Sequence, residues 1–135
     1  MSYNKPLPRP DTTNGPFWAA AKEGRFVLQY CKACGDTRFP PSHVCPKCLS
    51  SDQDWKEASG RGTLESWIDM HRAYWDGFKA EGELPYRVCL VRLEEGPVVV
   101  SNLVDKTDNL RMGQPVKVVF DKVTEEVTLP KFTLV

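Results

Sequence analysis

The 135-residue chain lacks any apolar run near the roughly 18 residues that a bilayer crossing needs. Its first residues, MSYNKPLPRPDTTNG, lack the hydrophobic stretch of a secretory signal. It also lacks excess charge of either sign. Eighteen basic and eighteen acidic residues cancel, which removes a bulk attraction to nucleic acid or to an anionic surface. No Gly-x-Gly-x-x-Gly or Walker loop is present, and only two histidines are available for acid–base work. These absences point to a cytoplasmic globular chain with one ordinary domain, or a small module joined to a larger one.

Cysteine is what the chain does have. Four of its five cysteines fall in CKACGDTRFPPSHVCPKC, as two Cys-x-x-Cys pairs ten residues apart. In a reducing compartment such pairs are metal ligands or redox groups before they are disulfides. Each pair can fold as a knuckle with two thiolates aimed at one centre, and two knuckles give the sulfur tetrahedron of a structural zinc site. Gly35 follows the first pair, where a tight turn needs positive φ, and Pro46 helps shape the second. A thioredoxin-type dithiol needs only one pair, at a helix start. A rubredoxin-type iron is the alternative that the same four sulfurs admit. Cys31, Cys34, Cys45 and Cys48 are therefore the expected ligands of a structural Zn2+, with no open position for catalysis. Such an ion supplies on the order of 10 kcal/mol to a segment too small for its own core. His43 is expected to be a non-ligand because four sulfurs complete the shell. Cys89, in YRVCLVRL, is expected to be a buried strand thiol.

Four prolines in the first sixteen residues exclude a regular helix or central strand and suggest an extended arm. FWAAAKEG predicts a short helix over about Phe17–Glu23, with Asn14 as cap, Gly24 as stop and Phe17, Trp18 and Ala21 on its apolar face. RFVLQY leads as a strand into the first knuckle, and TRFPP returns from it. From Gly60 the pattern changes to five strands: GTLESWIDMH, PYRVCLVRL, VVVSNLV, PVKVVFDKV and EVTLPKFTLV. Five short strands in about 75 residues suit a closed OB-fold barrel better than a flat sheet with open edges. GRG at 60–62 suggests a bend between modules. The loop 72–84 carries Tyr74, Trp75 and Phe78, which either pack beneath it or face a ligand or another subunit. The expected division is 1–25 for arm and helix, 26–58 for a zinc ribbon and 59–135 for the barrel.

FWAAAKEG, VLQYCKACG, FPPSHVCPKC, WKEASGRGTLESW, LPYRVCLVRLEEGPVVVSNLVD and LRMGQPVKVVFD, in this order, resemble the acyl-CoA-associated family of zinc-ribbon OB-fold proteins known as DUF35. The resemblance runs from about Phe17 to Phe132. It implies a mainly β architecture of short helix, ribbon and five-stranded OB-fold barrel. It also implies work beside a thiolase-like catalytic subunit, or beside a hot-dog-fold enoyl-CoA hydratase, on acyl-CoA thioesters. Carried over residue by residue, it covers only the four cysteines; no catalytic or substrate-binding residue transfers. The expected role is a non-catalytic subunit of a hetero-oligomeric thiolase- or aldolase-type enzyme. Arg38, Arg61 and Lys32 are candidate contacts for CoA phosphates. A single-stranded nucleic-acid binder and a free-standing acyl-CoA carrier are the competing readings. The first suffers from the missing basic stripe: Trp67 lies between Glu65 and Asp69, and Trp75 precedes Asp76.

Overall fold

A computed structural model of the protein describes residues 3–80 and 82–135. Two residues of the arm and one of the 72–84 loop lie outside them. Helix α1 spans Gly15–Lys22. It starts two residues before the expected Phe17, because Pro16 sits in its first turn, where a missing N–H costs nothing. Asn14 occupies the cap position but caps no helical N–H with its side chain. Its Oδ1 instead accepts from Asp11 N at 2.8 Å, and its carbonyl accepts from Phe17 N at 3.0 Å. The helix ends as a Schellman motif. Arg25 N donates to Ala20 O and Gly24 N to Ala21 O, both at 2.9 Å, with Gly24 at φ +76.

Strands β1 (Val27–Cys31), β2 (Thr37–Arg38) and β3 (Gln53–Glu57) form a three-stranded antiparallel sheet in the order β2-β1-β3. Strands β4 (Arg61–Met70), β5 (Tyr86–Leu93), β6 (Val98–Asn102), β7 (Pro115–Lys122) and β8 (Thr128–Leu134) form the second sheet, ordered β6-β5-β4-β7-β8. β4 reaches both neighbours because its start, Arg61–Thr63, pairs with β7 while its run from Gly62 to Met70 pairs with β5. A register shift between Leu64 and Ser66 bends it, as a bulge does at a barrel corner. The two ends of the sheet meet through a parallel bridge between Leu103 and Phe132. Val104 N donates to Phe132 O at 2.9 Å and Ser101 Oγ to Pro130 O at 2.9 Å. The result is the near-closed five-stranded barrel expected of an OB-fold, in a mainly β protein with one short α-helix among the described residues. Pro130 is accommodated on β8, the end strand of the sheet.

The barrel interior is filled by Leu64, Val91, Leu93, Val99, Val116 and Phe132, each at most 2% exposed. An aromatic chain extends this core out of the barrel. Phe132 meets Phe26 edge-on at 6.1 Å, Phe26 meets Phe17 at 5.7 Å, and Phe17 meets Phe39 at 5.5 Å. The helix therefore packs on the barrel as well as on the small sheet. Ala20 joins Phe17 and Ala21 on its buried face, and Trp18 is half-buried. The bend expected of GRG falls on Gly60, at φ +77. Gly62 lies inside β4 and is needed for packing: a Cβ there would stand 2.3 Å from Arg92 O. Among the described residues, no helix is long and apolar enough to cross a membrane.

Candidate metal centre

The two knuckles are built alike. Cys31 ends β1, Cys31 O accepts from Gly35 N at 2.8 Å, and Cys31 N donates to Asp36 O at 2.8 Å. In the second, Cys45 O accepts from Leu49 N at 2.8 Å and Cys45 N donates to Ser50 O at 2.9 Å. These bonds turn the chain back at once, so both sulfurs of each knuckle converge. The Sγ atoms of Cys31, Cys34, Cys45 and Cys48 all lie within 4.8 Å of one another. Cys31–Cys48 and Cys34–Cys45 are 3.6 Å apart. A zinc tetrahedron with bonds of about 2.3 Å has sulfur–sulfur edges of about 3.8 Å, so the donor set fits the ion in both chemistry and spacing. Cys31 and Cys45 are buried, while Cys34 and Cys48 face solvent.

Proton affinity divides the four thiols. The Cys34 backbone N–H, 3.5 Å from Cys31 Sγ, lowers Cys31 to about 7. Cys45 is lowered by the backbone N–H of Cys48 and then that of Lys47, the latter 3.4 Å away. Cys34 is pushed up to about 12: the Asp36 backbone N–H acts against this, but partial desolvation of its sulfur by the neighbouring groups and hydrogen bonding to Cys45 and Cys31 outweigh it. Four thiolates at this spacing require a cation to hold them together. Lys47 and Lys32, the lysines within the two Cys-x-x-Cys pairs, are themselves near carboxylates: Lys47 pairs with Asp36 at 3.1 Å, and Lys32 stands 3.9 Å from Asp52.

Beneath the centre lies a polar network that sequence reasoning missed. Arg38, a candidate phosphate contact or solvated side chain, is only 6% exposed. Its Nε donates to Ser42 Oγ at 3.0 Å and its Nη2 to Ser42 O at 3.2 Å and to Gln53 Oε1. Gln29, fully buried, accepts from Ser42 N at 2.9 Å. Together these side chains pin the loop that joins the knuckles. The available signal was a glutamine inside the apolar run FVLQY, a polar side chain that must find a buried partner. His43 is exposed and lies outside the sulfur cluster, with Thr13 Oγ1 2.8 Å from its ring. Cys89 is 1% exposed, and burial raises its thiol to about 11, which makes it a poor nucleophile.

The aromatics of the 72–84 loop divide. Phe78 stacks on Tyr86 at 4.5 Å and is covered by Lys5 Nζ, 5.0 Å from its ring. Lys5 also pairs with Glu83, and Gly77 presses on Asn4, so the arm clamps this loop. Tyr74 and Trp75 remain 65% and 59% exposed.

A family model described as "ChsH2, rubredoxin-like zinc ribbon domain" matches residues 18–53, and one described as "ChsH2, C-terminal OB-fold domain" matches residues 55–121. A DUF35 domain-containing scaffold protein of Methanocaldococcus jannaschii is 32% identical over 112 residues, covering 81% of this chain and 77% of its own. The chain belongs to the DUF35 family. A chain of the solved Ltp2-ChsH2(DUF35) aldolase matches this DUF35 protein with a TM-score of 0.83 and 38% identity, over 95% of this chain and 98% of that one. A probable enoyl-CoA hydratase alpha subunit of Thermomonospora curvata is 40% identical over 129 residues, 95% of this chain. The DUF35 chain spans 39% of the length of that relative.

On the DUF35 barrel one cationic feature stands apart. Arg61 of β4 and Lys117 of β7 are direct cross-strand partners. Like charges so placed destabilise a sheet. Neither forms an ion pair among the described residues, and both line an open groove of about 660 Å³ that Arg92 and Glu94 also border.

Proposed function

We propose that this chain is a non-catalytic subunit of a thiolase- or aldolase-type acyl-CoA enzyme, which it helps to assemble. The observation that carries the reading is its likeness to a chain of the Ltp2-ChsH2(DUF35) aldolase, at 38% identity over 95% of its length. In this reading Cys31, Cys34, Cys45 and Cys48 hold one structural zinc. The ion supplies folding energy and a rigid shape, and with all four positions taken by protein it offers none to a substrate. Carbon–carbon bond chemistry belongs to the partner subunit. The unpaired Arg61 and Lys117 are the residues on this surface best suited to meet the phosphates of an acyl-CoA bound at the partner's edge. Four reduced thiols are maintained in the cytoplasm, where this reading places the protein.

A second reading makes the partner a hot-dog-fold enoyl-CoA hydratase. It is favoured by the Thermomonospora curvata relative, whose further length leaves room for another domain. Co-expression with the thiolase-fold protein, or with the hydratase, encoded nearest to this chain separates the two. The thiolase partner should form a stable complex and turn over faster in it. Two proteins that elute apart at micromolar concentration, with unchanged turnover, contradict the first reading. A complex with the hydratase alone establishes the second.

A further inference from the structure

The matched knuckles differ at one position. Gly35 and Leu49 occupy equivalent places, each donating its N–H to the first cysteine of its knuckle at 2.8 Å. Their φ angles are +81 and +64. Glycine adopts this left-handed conformation freely, whereas an L side chain there drives its Cβ toward the following carbonyl. Among the described residues Leu49 is the one non-glycine with positive φ. The hydrogen bond from Leu49 N to Cys45 O holds the turn in this conformation, but the side chain gains no packing from it, since Leu49 is 76% exposed. Val44, on the same knuckle loop, is 46% exposed. A strained apolar side chain on a stiff turn, held out to water, loses stability twice over.

We propose that Leu49 is an apolar anchor through which the second knuckle docks into a pocket of the catalytic subunit. This rests on the accessory-subunit reading and gives that reading a surface. A knuckle held by hydrogen bonds and a metal presents its tip without further ordering, which lowers the cost of association. A second copy of the chain is the less suitable occupant. Its own apolar pocket, about 240 Å³ between Phe17, Trp18, Phe39, Val100 and Pro130, includes no residue of the second knuckle. Leu49 entering it would make a head-to-tail contact unless a two-fold axis let both knuckles enter both pockets at once. The continuous likeness to a chain of a two-component aldolase favours a different protein as receiver.

The test uses the full metal-loaded chain and three variants, Leu49→Gly, Leu49→Ala and Leu49→Met. Each is melted alone and titrated with the thiolase-fold protein encoded nearest to it. Leu49→Gly should raise the melting temperature by about 4 °C, because strain is relieved, and weaken binding about tenfold. Leu49→Ala should weaken binding equally without the rise, since the strain persists. Leu49→Met should keep both properties of the parent. If the parent binds and the Gly and Ala variants match it, the anchor is refuted and the accessory-subunit reading stands. If the parent does not bind at micromolar concentration, both fall. If the parent self-associates on a sizing column and Leu49→Gly abolishes this, the occupant is a second copy and the proposal is overturned.

Discussion

Replacing Arg87 with methionine would test how the barrel mouth is held. Arg87 lies on β5, and its side chain is 9% exposed. Its Nε and Nη2 grip Asp69 of β4 at 2.6 and 2.9 Å. Its Nη1 donates to the carbonyls of Asp105 and Thr107 at 3.2 and 2.6 Å, which fastens the segment leaving β6. Methionine keeps most of the stem's packing and removes all four bonds. Charge-assisted bonds contribute about 1.5–3 kcal/mol each in net terms, but Asp69 is 30% exposed and partly rehydrates once released. The expected loss is about 3 kcal/mol, a fall of about 10 °C in melting temperature for a chain of this length. A pH signature separates this from simple misfolding. Hydrogen bonding to Arg87 holds the Asp69 carboxyl below its ordinary value. A carboxylate lowered on folding contributes stability that is complete above its unfolded value of about 3.9 and is lost as pH falls through the lower folded value. The parent should therefore lose stability more steeply on acidification below about pH 4 than Arg87→Met does. Urea unfolding from pH 7 to pH 2.5 measures both quantities. Equal acid slopes, or a melting temperature within about 2 °C of the parent, would refute the reasoning.

Gly62→Ala should destabilise the barrel by about 2–3 kcal/mol, because the new methyl must displace the Arg92 carbonyl and Val91 Cγ1; an unchanged urea midpoint would contradict the packing described. Cys89 should resist iodoacetamide in the native metal-loaded protein at pH 8 and react once unfolded, given its burial and raised thiol. Peptide mass mapping checks this, and rapid native labelling would count against it. Zinc affinity should fall steeply with acidification, as protons compete for the four thiolates, and each ion bound at pH 7 should release protons in calorimetry run in two buffers. A proton-neutral binding event would be inconsistent with Cys34 and Cys48, whose raised proton affinity keeps them protonated before binding.

Features carried by neighbouring residues were legible in the sequence. Cys-x-x-Cys spacing with Gly35 behind it encodes a knuckle locally, and turn residues between alternating apolar stretches marked the strands of the barrel. Gly24 was readable as a helix stop because its positive φ is a property of one residue. Features that depend on distant partners were not legible. Burial of Arg38 needs Gln53 and Ser42 to arrive together, and barrel closure needs Leu103 beside Phe132. The role of Gly62 is set by a carbonyl thirty residues away in sequence. Pro16 was assigned to the arm because proline breaks helix interiors, while its tolerance in the first turn extended the helix backward. The strain at Leu49 was invisible until its φ was known, although its place after the second knuckle matches that of Gly35 after the first.

Native mass spectrometry of the chain co-expressed with its nearest-encoded thiolase-fold protein weighs metal and partner together. A sulfur-bound ion that stiffens a docking module predicts a hetero-oligomer whose mass includes one zinc per copy of this chain, and which comes apart when a strong chelator strips the ion. A metal-free chain that flies alone, or a complex indifferent to chelation, would contradict it.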